Sequence, residues 1–190
     1  MWRPVIVGLG GTTREGSSTE RAVVASLRAA SALGAETVLL GANDLRLPVY
    51  APESAARSEA AVHLVAQLRR ADGVIVASPG YHGGISGLVK NALDYTEDMR
   101  DDVRPYLEGR AVGCIASAAG WQATTTTLVA LRSVVHALRG WPTPLGVVLN
   151  SSEPAFTSGD ADGTSAIEQQ LERLVAQVVG FARAFATVGS

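Results

Sequence analysis

The sequence predicts an α/β protein built on a doubly wound, five-stranded parallel sheet of order 2-1-3-4-5 with helices on both faces. Three observations carry the prediction. Short apolar runs alternate with amphipathic helical segments five times along the 190 residues, as repeated strand–helix–strand units require. The strand runs are almost wholly apolar, as strands covered on both faces must be. The loops after the first and third runs are rich in glycine and hydroxyl residues, and this strand order reverses between those two strands, where such sheets bind ligands.

The elements follow in order. Val5 to Leu9 is a buried strand ended by Gly10-Gly11, and from Ser17 Val23, Leu27 and Ala30 mark a helix stopped by Gly34. Thr37 to Leu40 is the second strand. The stretch containing Pro48 and Pro52 is neither regular helix nor central strand. Ala61, Leu64, Val65 and Leu68 define the second helix, Gly73 to Ala77 the third strand, and Ser86 to Tyr95 the third helix. A charged loop, Thr96 to Arg110, leads into the fourth strand, Ala111 to Ala116. Leu128, Leu131, Val135 and Leu138 carry the fourth helix, ended by Gly140, and Leu145 to Leu149 is the fifth strand. A polar, mobile loop is expected from Asn150 to Ser165, and Ile167 to Phe185 form the apolar stripe of the last helix. With neither repeat nor linker, residues 1–190 read as a single domain.

Composition narrows the function. The chain is 47% hydrophobic and 18% charged, which supports a real core. Its one cysteine excludes an intrachain disulfide or a cysteine-based metal cluster, and the three histidines (His63, His82, His136) are too scattered for a metal motif. A net charge of −2 disfavours a nucleic-acid partner. The apolar run at Val5 is too short for a signal peptide, and the uncharged stretch Ala111 to Leu131 carries too many polar residues for a membrane span. A cytoplasmic protein is expected.

The first loop, Gly10-Gly11-Thr12-Thr13-Arg14-Glu15-Gly16-Ser17-Ser18-Thr19, places hydroxyls and one guanidinium at a helix start. Free N–H groups and the dipole there favour an anion such as a phosphate monoester. A serine-rich N-cap beside an exposed arginine explains the same residues equally well. The pattern is neither a dinucleotide fingerprint nor a P-loop. The loop after the third strand, Ser78-Pro79-Gly80-Tyr81-His82-Gly83-Gly84, offers backbone donors beside two planar rings. It suits a flat heterocycle, or is a glycine-rich turn with no ligand.

At these residues the chain resembles the NAD(P)H-dependent FMN reductase family, flavodoxin-like proteins related to bacterial quinone, azo and chromate reductases. The resemblance rests on Pro79-Gly80-Tyr81, the small-residue turn after it, and Leu88-Val89-Lys90-Asn91-Ala92-Leu93-Asp94. It spans about Val5 to Asn150. It implies a flavodoxin-like fold and an enzyme passing hydride from NAD(P)H to FMN, with the phosphate on Thr12, Arg14, Ser17, Ser18 and Thr19. The flavin ring would lie between Pro79, Gly80, Tyr81, His82, Gly83 and Gly84 and the loop Ser117, Ala118, Ala119, Gly120 and Trp121.

No protein side chain is assigned as catalytic, because the flavin carries the redox chemistry. The resemblance further implies a homodimer or homotetramer, and as partner a flavin-dependent monooxygenase or a small aromatic acceptor. A flavin-binding electron carrier without NAD(P)H activity is the alternative; a phosphate-ligand hydrolase is disfavoured by the lack of a clustered nucleophile set. Two departures stand out. Gly80 is smaller than the family's usual residue, so a looser pocket edge is expected. Trp121 either narrows the site or packs at a subunit contact. Lys90 and Asp94 are spaced to pair on one helix face, Cys114 reads as a core residue, and Leu45 to Pro52 lines the crevice rim, a dimer contact or the sheet edge.

Overall fold

The computed structural model describes residues 2–153 and 165–188. In chain order the elements are β1 (Val5–Gly10), α1 (Ser18–Ala32), β2 (Glu36–Leu40), α2 (Glu59–Arg70), β3 (Gly73–Tyr81) and β4 (Gly84–Ile85). Then come α3 (Gly87–Asp94) with a 3-10 turn at Tyr95–Met99, β5 (Ala111–Ala118), α4 (Trp121–Ala137), β6 (Trp141–Pro142), β7 (Val147–Asn150) and α5 (Ala166–Val188). The expected mobile loop from Asn150 to Ser165 lies largely outside the described residues.

The sheet runs β2-β1-β3-β5-β6, with β7 also paired to β5 and β4 folded back on β3. All pairings are parallel except that of β3 with β4. β6 and β7 are two pieces of the expected fifth strand. β6 faces Ala111 and Val112, and β7 faces Ile115 to Ala118. The chain from 143 to 146 therefore spans the two-residue gap at Gly113 and Cys114, and two residues must bulge out. Thr143 holds the bulge: its N–H donates to Val112 O at 3.0 Å, and its Oγ1 donates to Leu145 O at 2.7 Å. Counted as one strand, this pair completes the order 2-1-3-4-5.

Alternation along each strand divides the core into two. Val7, Leu9, Val74, Val76, Val112 and Cys114 face α2, α3 and α4 on one side. Ile6, Ile75, Ala77, Ala111 and Ile115 face α1 and α5 on the other. Successive strand side chains point to opposite faces, so a sheet covered twice needs both sets apolar. At Gly113 α5 comes so close that a Cβ would lie 2.3 Å from Leu174 Cδ2.

Two elements run longer than their apolar spacing suggests. β3 continues through Ser78-Pro79-Gly80 to Tyr81, because β5 pairs with it as far as Pro79 and β4 takes over at Gly80. α4 starts at Trp121 and absorbs the four threonines; Thr124 and Thr125 satisfy their hydroxyls on Trp121 O at 2.8 and 2.9 Å.

Arg110 is fully buried at the entry to β5. Its guanidinium donates to the carbonyls of Ala71 (2.9 Å), Arg69 (2.9 Å), Glu108 (3.1 Å) and Tyr106 (3.2 Å). Burial pushes its pKa down to about 10, so it stays protonated at neutral pH. The stretch Leu45 to Pro52 packs on α3: Tyr50 N donates to Asn91 Oδ1 at 2.8 Å, and Asn91 Nδ2 donates to Pro48 O at 2.9 Å. Cys114 is buried in β5, as expected of a core residue.

Candidate functional site

The C-terminal ends of β1, β3 and β5 open on one crevice of about 350 Å³, a volume within the range of small-molecule sites. The chain after β1 enters α1 through Ser17, whose Oγ accepts from Glu20 N at 3.3 Å and lies 3.1 Å from Thr19 Oγ1. Ser17 is thus the helix cap and a crevice residue at once. Thr12 closes a small turn, accepting from Arg14 N at 3.2 Å and donating to Arg14 O at 3.0 Å. Arg46 braces the same loop through Thr13 O at 3.1 Å.

Thr12, Arg14, Ser17, Ser18 and Thr19 line one end of the crevice; Pro79, Gly80, Tyr81, Ser117, Ala118 and Ala119 line the rest. Arg14 is the one charged side chain among these lining residues, and it is exposed. The crevice therefore has a cationic, hydroxyl-rich end at the start of α1, and elsewhere presents backbone, small side chains and one phenol ring. Beside the crevice, Ser86 ties β3 to the loop after β1. Its N–H donates to Ser78 Oγ at 3.0 Å, and its Oγ donates to Gly11 O at 3.4 Å.

The other expected residues lie outside the crevice lining. His82 and Gly83 form the two-residue turn between β3 and β4, with φ of 50° and 87°. Positive φ at both central positions is what a type I′ hairpin needs. The two residues and Tyr81 are exposed, while Gly84 is partly buried in β4. Gly120 (φ 92°) caps α4 without a side-chain bond, and Trp121, 53% exposed, is the first residue of that helix. None of His82, Gly83, Gly84, Gly120 and Trp121 lines the crevice itself.

Ser151 also lines the crevice and escaped the sequence reading. Its neighbour Asn150 accepts from Gly120 N at 2.9 Å. The available signal was positional: Asn150 ends the fifth strand and Ser151 follows it, on the same sheet end as the other loops. Lys90 and Asp94 form the expected pair at 2.6 Å, away from the crevice lining.

The donor set fits FMN on its own chemistry. Hydroxyls, a helix start and a guanidinium suit a dianionic phosphate, and an uncharged wall of backbone and small groups suits a flat heterocycle. Among the described residues no helix is long and apolar enough to cross a membrane, and no cluster of His, Cys, Asp or Glu is grouped to hold a metal ion.

Comparison with known proteins agrees with this chemistry. An NADPH azoreductase of Bacillus sp. (strain OY1-2) is 30% identical over 105 residues, 55% of this chain and 56% of that one. An FMN-dependent NADPH-azoreductase of Staphylococcus aureus (strain USA300) is 31% identical over 113 residues, 58% of this chain and 56% of the relative. The matched stretch thus spans just over half the length of these relatives. A NADH:FMN oxidoreductase in its apo form superposes with a TM-score of 0.68 at 20% identity, covering 95% of this chain and 89% of the other. A flavodoxin, WrbA-like protein from Agrobacterium tumefaciens superposes with a TM-score of 0.61 at 18% identity, covering 96% and 98%. These two structures establish the flavodoxin-like fold. The sequence profile described as NADPH-dependent FMN reductase matches residues 4–155, and the chain belongs to that family.

Proposed function

We propose that the protein binds FMN in this crevice and passes hydride to it from NAD(P)H. The observation that carries the reading is the polarity of the crevice, cationic and hydroxyl-rich at one end and uncharged along the other walls. Thr12, Ser17, Ser18 and Thr19 hold the phosphate by hydroxyl and backbone donors, and Arg14 adds a two-pronged charged contact. Pro79 to Tyr81 and Ser117 to Ala119 hold the ring by shape and backbone. His82, Gly83, Gly84, Gly120 and Trp121 border the entrance through which nicotinamide and acceptor approach.

When bound, the flavin supplies the hydride-accepting chemistry, while the chain supplies orientation and charge complementarity. Among the described residues, Arg14 and Tyr81 are the titratable side chains that line the crevice, and the chain's part in hydride transfer is positioning.

The reduced flavin then serves a flavin-dependent monooxygenase or reduces a small aromatic acceptor. The azoreductase relatives support an azo-type acceptor. A cytoplasmic site of action is supported by the lone, buried cysteine. Assembly as a homodimer or homotetramer is supported by Val49, Tyr81 and Trp121, large apolar side chains exposed at 86%, 55% and 53%.

The test is to add FMN to purified protein, follow flavin fluorescence, and measure NADH and NADPH oxidation as FMN is varied. Saturable binding and flavin-dependent oxidation are expected. Absence of both sinks the reading, and binding without nicotinamide oxidation identifies an electron carrier instead.

A further inference from the structure

We propose that Asn150 is the positioning residue of the crevice wall after β5, and that Glu153 sets the direction its amide faces; its consequence for ligand binding rests on the flavin reading above. Asn150 ends β7 and is 8% exposed. Its Oδ1 accepts from Gly120 N at 2.9 Å and from Ser152 N at 3.1 Å, and its Nδ2 donates to Glu153 Oε1 at 2.6 Å. Alongside, Ser151 N donates to Ala118 O at 2.9 Å.

Gly120 needs such a hold. It turns the chain from β5 into α4 at φ 92° and ψ 145°, and it has no side chain to cap the helix. With no Cβ, glycine has more backbone conformations open to it than any other residue, so an external bond restricts it most. Ser151 and Ala118, which the Ser151 N–H bond joins, and Ala119, next to Gly120 in sequence, all line the crevice.

A single amide side chain answers both demands. Two N–H donors require an oxygen on one side, and the Glu153 carboxylate requires a donor on the other. A carboxylate at this position keeps the first two bonds but faces Glu153 with like charge. The Asn150→Asp change is therefore disruptive while Glu153 remains, and Glu153→Gln restores a donor–acceptor pair.

The experiment has two arms. In ligand-free protein, amide hydrogen exchange at Gly120 is compared between wild type and Asn150→Ala; the variant is expected to exchange about tenfold faster there. Titration with FMN and with riboflavin forms the second arm. Asn150→Ala and Asn150→Asp should weaken both flavins alike, by about tenfold, because the wall touches the ring and not the phosphate. The Asn150→Asp/Glu153→Gln double variant should regain most of the affinity. Unchanged Gly120 exchange, unchanged flavin affinity, or a double variant no better than Asn150→Asp overturns the proposal. If wild type binds neither flavin, the flavin reading fails, and Gly120 exchange alone decides the role of Asn150.

Discussion

Gly80 and Thr127 compete for one space: a Cβ built on Gly80 would lie 2.3 Å from Thr127 Oγ1 and 3.0 Å from the Ala118 Cβ. The missing side chain does not leave the pocket edge loose, as expected from the family's larger residue. Instead α4 closes in against β3, and Thr127, fully buried, fills the gap. The close approach is made beside the crevice, which Gly80 and Ala118 both line.

Gly80→Ala should therefore overpack this contact and cost about 1–3 kcal/mol of stability. In a Thr127→Ala background the same change should cost clearly less, since the nearest clashing atom is gone. Denaturant midpoints of the two single variants and the double variant measure the coupling. Strictly additive losses would show that the two residues do not share this space.

Thr127 Oγ1 has no hydrogen-bond partner among the described residues. A buried hydroxyl without a partner is a liability, and Val replaces Thr with nearly the same shape. Thr127→Val is expected to be neutral or stabilising, whereas loss of a satisfied hydroxyl costs about 1 kcal/mol. A midpoint lower than wild type by that amount would mean that the hydroxyl finds a partner in solution.

The phosphate end can be tested separately. Arg14 is the one charged side chain among the described residues that line the crevice, and a charge-assisted bond contributes about 1.5–3 kcal/mol. Arg14→Ala should weaken FMN by about tenfold or more while leaving riboflavin, which lacks the phosphate, nearly unchanged. Equal losses for both ligands would remove Arg14 from the phosphate contact.

Much of this was legible beforehand, for a physical reason. A sheet covered on both faces needs apolar runs such as Val5 to Leu9, and the strand order that follows brings the glycine and hydroxyl loops together. Side-chain periodicity is silent on what the backbone does alone. It missed the continuation of β3 through Pro79 and Gly80, both poor strand formers, because pairing with β5 and β4 overrides local preference there. It missed the split of the fifth strand, which depends on two surplus residues opposite Gly113 and Cys114. Asn150 was invisible as a tether because its partner Gly120 lies 30 residues away in sequence.

Burial pushes the Cys114 thiol up to about 12. The reactive thiolate is then scarce at neutral pH, and the sulfur is inaccessible in β5. Alkylation of Cys114 should follow global unfolding, with a rate that rises with denaturant as the unfolded fraction does. Rapid labelling of the native protein at pH 8 would show that β5 opens locally.

Asp98 anchors the segment after β2 to the 3-10 turn. Its carboxylate takes two bonds from Arg57, at 2.7 and 2.8 Å. The Arg57 guanidinium lies 4.9 Å from the centre of the Tyr50 ring, which meets Tyr95 edge-on at 5.1 Å. The Arg57 hydrogen bond holds the Asp98 carboxyl below its ordinary range, against the opposing effect of burial. A carboxyl lowered in the folded state binds its proton more readily when unfolded. Its contribution is therefore complete above the unfolded pKa, about 3.9, and is lost as pH falls through the folded value. Asp98→Asn should cost about 1–3 kcal/mol at pH 7, and the gap to wild type should narrow steadily below about pH 4. Denaturant unfolding of both proteins at pH 7 and pH 3 measures it. A gap that persists undiminished at pH 3 would mean that the Arg57–Asp98 charge pair is not what holds this segment down.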